Sequence, residues 1–153
     1  MKKLFALILT VCLLASMSVT AFAANTTGGD ADITTSIAPT YTVTIPANVN
    51  VQFNATETDF GAIEVTASQI HPDKCIKVAL ATDKELNNAI DNTKVIPYAI
   101  KDSEGAEFTS ATYLTEGDKT ELSIHITADD WNAAYAGDYS DTVTFTVSYE
   151  DKA

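Results

Sequence analysis

The sequence predicts an all-β protein, an antiparallel β-sandwich with Greek-key connections built from seven to nine strands. Three observations predict it. Apolar residues alternate with polar ones in many short runs, the period of a strand with one buried face. Turn residues recur at intervals of about 8–15 residues. No stretch beyond the amino terminus carries a sustained helical period, and the run lengths suit a sandwich. A closed barrel is the architectural alternative.

The chain has 153 residues, the size of one domain once its leader is set aside. Lys2 and Lys3 precede the apolar run 4–16, and Ala21, Phe22 and Ala23 supply a small-x-small cleavage signal. The run is short for a membrane span, so residues 1–24 are expected to be a secretory signal peptide. Val11 before Cys12, and Leu13 after it, do not suit lipid attachment. Without residues 1–24, seven lysines face all 21 acidic residues, a net charge of −14, and there is no arginine. Such a surface repels nucleic acid and anionic lipid. One cysteine, Cys75, then remains, so an internal disulfide is excluded and the fold has to rest on its core.

Residues 25–38 are expected to be a flexible, glycine-containing lead followed by an edge or donor strand, with the sandwich over residues 39–153. Ile33, Thr35 and Ile37 share one parity within 32–38, and Pro39 interrupts the run. Tyr41, Val43 and Ile45 continue that parity up to Pro46. Val49, Val51 and Phe53 predict a strand, and 54–60 a polar loop. Ile63, Val65 and Ala67 form the next strand, then Ile76, Val78 and Leu80. Residues 83–94 are polar, suiting a loop or one helical turn. Ile96, Tyr98 and Ile100 alternate, as do Leu122, Ile124 and Ile126. Residues 128–134, with Trp131, suit a helical turn or loop capping the sandwich.

The final stretch, 139–149, is the most regular. Tyr139, Val143, Phe145, Val147 and Tyr149 lie on one parity, and Thr142, Thr144, Thr146 and Ser148 on the other. It is expected to be a central strand with its odd residues in the core. Tyr139, just after a Gly-Asp turn, suits a tyrosine corner, its hydroxyl bonded back to upstream backbone.

Groups able to do chemistry are sparse. His71 sits in a turn and His125 between Ile124 and Ile126, on the face opposite theirs. Neither belongs to a catalytic motif, so no enzyme and no catalytic residue is expected. Loop carboxylates Asp129, Asp130, Asp138 and Asp141 are candidate Ca²⁺ ligands, since that ion prefers hard oxygen donors; the competing reading is a solvated acidic surface. Trp131 and Tyr135 are candidates for an aromatic ligand surface, of the kind that contacts sugars, against a structural role for Trp131 at the end of the core. No other cofactor is expected.

The ending Ala136-Gly-Asp-Tyr-Ser-Asp-Thr-Val-Thr-Phe-Thr-Val-Ser-Tyr149 resembles the terminal strand of secreted bacterial pilin-like domains, the spore coat protein U-type domains and related fimbrial subunits. The run Tyr41-Thr-Val-Thr-Ile-Pro46 resembles the opening of exported immunoglobulin-like domains. The resemblance implies an immunoglobulin-like fold and a non-enzymatic, structural or adhesion-type protein of the cell surface or matrix. It also implies β-strand addition, in which Ile33, Thr35 and Ile37 would pair within their own domain or with another subunit's open edge. A stand-alone carbohydrate- or ligand-binding module is the alternative. The expected location is extracellular and associated with the cell surface, without a covalent anchor motif at 150–153.

Overall fold

Residues 30–152 are described by a computed structural model; the expected signal peptide and residues 25–29 lie outside them. The chain divides after Ser36. Residues 30–39 carry no strand, and Ile33 is 98 % and Ile37 62 % exposed.

Strand β1 (Thr40–Thr44) pairs antiparallel with the carboxyl half of β2 (Glu57–Gln69). The amino half of β2 pairs with β8 (Lys119–His125), and β6 (Ala99–Asp102) lies on the far side of β8. These four make one sheet, ordered β1-β2-β8-β6. The second sheet is β10-β3-β7, formed by Thr144–Asp151, Lys74–Ala81 and Ser110–Tyr113. A smaller ribbon, β5-β4-β9, joins Val95–Pro97, Glu85–Asn88 and Tyr139–Ser140. The one helix among the described residues, α1 (Ala128–Ala133), follows β8. No described helix is long and apolar enough to cross a membrane.

The alternation does what it predicts inside the sandwich. Ile63 and Val65 of β2, Ile76 and Val78 of β3, and Leu122 and Ile124 of β8 are buried together with Ile96 and Ile100. Each such side chain contributes about 1.5–3 kcal/mol on leaving water. The order β1-β2-β8-β6 is that of strands A-B-E-D in an immunoglobulin sandwich, and β3 with β10 is its C-F pair. In those domains strand G covers the outer edge of F. Among the described residues nothing pairs with that edge of β10; β7 lies on the other side of β3.

Four expectations are corrected here. Residues 139–149 are not one central strand. Asp141 breaks the run, because its carboxylate accepts hydrogen bonds from Tyr98 and Thr82 and from the N–H of Thr142. The chain there passes from the ribbon into the second sheet, where β10 is an edge. Its odd residues do face inward, but half-buried or exposed. Residues 49–53 form no strand; Pro46 ends the ladder with β2, and the segment beyond it meets no paired edge. Finally, β2 begins at Glu57 within the stretch expected as a loop, and β4 arises in the polar stretch 83–94.

Candidate functional site

The seam between the edges of the two sheets is the most distinctive place in the fold. Its backbone chemistry follows from register. Lys152 N–H donates to Asp73 C=O at 2.9 Å, and β10 pairs with β3 in unbroken antiparallel register from Thr144 to Asp151. Backbone groups alternate in direction along such a strand. Even residues therefore bond to β3, and the N–H and C=O groups of Phe145, Val147 and Tyr149 point to the open side. Val147 is 38 % exposed. An unpaired row of this kind is a template for another strand.

Beside this edge lies a groove of about 810 Å³. Phe60, Leu86, Ile96, Ile124, Val143 and Phe145 are among its lining residues, and the segment 45–51 forms part of its wall. Phe60 and Phe145 bring the two sheets together, ring centroids 6.0 Å apart. Farther along β10, Tyr149 reaches Tyr41 of β1.

Gly61 shapes the wall of β2. It sits at a bulge, φ +97°, with its N–H donating to Asp59 Oδ1 at 2.8 Å. Only glycine adopts that backbone cheaply. Pro46 passes over it, where an added Cβ would lie 3.9 Å from the Pro46 Cα.

A polar knot closes the opposite wall. The Tyr98 hydroxyl donates to Asp141 Oδ2 at 2.5 Å, and Thr82 Oγ1 donates to the same oxygen at 2.8 Å. Burial, then the hydrogen bond to the Asp141 carboxylate, holds the Tyr98 phenol well above its ordinary range. The knot pins the entrance of β10 to the β3–β4 corner.

The comparisons add little to this geometry. No family model matches the sequence, and no curated protein matches it. One solved structure, described as a chaperone–tip adhesin complex vital for synergistic activation of CFA/I fimbriae biogenesis, contains a similar chain. Its TM-score is 0.46 at 11 % identity, covering 70 % of this chain and 41 % of that one.

The remaining candidates fall in separate places. Trp131 Nε1 donates to Ala55 C=O at 2.8 Å, and its ring meets Phe53 edge-on at 5.6 Å; it also packs against the core. Tyr135 is 63 % exposed, with the Lys94 ammonium 4.9 Å from its ring centre. The Tyr139 hydroxyl accepts from Tyr135 N–H at 3.1 Å and donates to Tyr135 C=O at 3.0 Å, the expected corner. Asp130 accepts from the Thr127 hydroxyl, while its own N–H donates to Thr127 Oγ1, capping α1. Asp129 shares that first turn, and Asp138 precedes β9. Among the described residues no three His, Cys, Asp or Glu side chains gather to hold a metal ion. His125 Nε2 lies 2.9 Å from Ser123 Oγ. The backbone N–H of His71 donates to the Tyr149 hydroxyl at 2.9 Å.

Sequence reasoning missed Phe60, Leu86 and the Tyr98–Asp141 knot. For the knot alone there was a signal: Asp141 is the one polar residue on the apolar parity of 139–149.

Proposed function

We propose that this protein is a secreted, non-enzymatic component of the cell surface or matrix, structural or adhesive in role, which self-associates by β-strand addition. One observation carries the proposal: among the described residues no strand pairs with the outer edge of β10, which lies beside a groove, where an immunoglobulin sandwich holds its last strand. The occupant is the segment 32–38 of a second copy. Ile33, Thr35 and Ile37 carry a strand's alternation, the segment takes part in no strand, and Ile33 and Ile37 are exposed. Main-chain hydrogen bonds to Phe145, Val147 and Tyr149 would supply affinity, and alternate side chains entering the groove the specificity. Burial of Ile33 and Ile37 would contribute about 1.5–3 kcal/mol each, set against the cost of association and ordering.

Sedimentation velocity over a wide concentration range tests this reading. Concentration-dependent oligomers are expected from the protein lacking only its leader. They should vanish when residues 25–38 are also removed. A monomer at the highest concentration overturns it.

A further inference from the structure

The segment 47–52 is written as a strand but is not one. Val49, Val51 and Phe53 alternate with Asn48, Asn50 and Gln52, the pattern of a half-buried strand. No strand is formed there, and the described residues offer no hydrogen bond to the backbone of 47–51; Gln52 C=O accepts from Ala55 N–H. Both ends are nevertheless fixed. Pro46 lies over the Gly61 bulge, and Phe53 meets Trp131, whose indole holds Ala55. What lies between is a six-residue strap tethered at both ends. It runs along the groove wall, with Val143 and Phe145 of the β10 side among the other lining residues.

From this juxtaposition we infer that residues 47–52 are a latent strand that completes the seam. When a strand adds to β10, the strap takes up β conformation along the newcomer's far edge. The added strand is then held on both edges, and the two sheets are bridged through the strap and β1. A strand-coded segment left without a ladder beside an unfilled groove has this use. The fixed ends also keep the ordering cost low, because the strap's reach is already set. The inference rests on strand addition at β10 and names what that site does when filled.

Hydrogen exchange on the leaderless protein lacking residues 25–38 tests it, with a synthetic peptide of residues 31–38 as the probe. Amides of 47–52 should exchange fast without peptide and slow by about tenfold or more with it, together with Phe145, Val147 and Tyr149. The double substitution Asn48→Pro with Asn50→Pro removes two backbone N–H donors from the strap. It should leave the melting temperature of the free protein in place and weaken peptide binding about tenfold. Protection of the β10 amides without any at 47–52 overturns the latent strand and leaves strand addition standing. Protection at neither place overturns both.

Discussion

Tyr41 stacks on Tyr149 with ring centroids 5.7 Å apart and planes 29° from parallel. Each residue belongs to an edge strand, one from each sheet, so this pair closes the seam at the end where the groove does not reach. Aromatic pairs contribute about 0.5–1.5 kcal/mol beyond the area they bury. Tyr41→Ala should lower unfolding free energy by about 1–3 kcal/mol, measured by urea denaturation. Tyr41→Phe should cost far less, since the stack survives.

The edge of β10 lets the proposed assembly be tested apart from folding. Val147 directs its backbone groups away from β3, so Val147→Pro removes an N–H that pairs with none of the described residues. Edge strands tolerate proline on that side. The variant should fold, with its circular dichroism spectrum retained, and should form no oligomers in sedimentation. Oligomers formed as readily as by the parent would place the contact elsewhere.

Tyr98 makes stability fall in alkali. Burial and the Asp141 carboxylate raise its folded value above the ordinary 10.0. The unfolded chain therefore releases this proton first as pH rises past about 10, and stability present below that point is lost above it. Tyr113, raised by burial, acts in the same direction. Urea midpoints between pH 8 and 11 should show the decline, and Tyr98→Phe should flatten it. At pH 7 the same substitution should cost about 1–3 kcal/mol, because Asp141 loses a donor.

Gly137 cannot be replaced without damage. Its φ is +145°, and a Cβ there would sit 2.6 Å from Asn88 Nδ2. Asn88 is 5 % exposed, and its Oδ1 accepts the N–H groups of Ile90 and Asp91. Gly137→Ala should cost about 2 kcal/mol or more through strain and a displaced cap, seen as a lowered melting temperature. Ala136→Gly, one residue away, should cost much less.

Alternation told which face of a strand is buried but not which strands are neighbours. Ile76, Val78 and Leu122 were legible because both their strands lie inside the sheets, with the inward side fully covered. Val147 carries the same signal, yet it stands at an edge, since period 2 is blind to pairing. The same blindness let Val49 and Val51 read as a strand: their alternation is real, but Pro46 removes a donor and steers the chain off the ladder. Polar β4 escaped notice because Glu85 and Asn87 gain their place from pairing with β5, not from burial. The groove was invisible for a related reason. It is made by what is missing beside β10, and its lining comes from residues as far apart as Phe60 and Phe145.

Cys75 gives the protein a built-in clock. Its thiol is buried, opposite Glu150, with Sγ 3.7 Å from the Asp151 carbonyl oxygen. Peeling of the end of β10 from β3 would remove the Asp151 contact and help to uncover the thiol. The rate of thiol modification in the native protein therefore reports on those excursions, and no label has to be introduced to watch that end of the strand come loose.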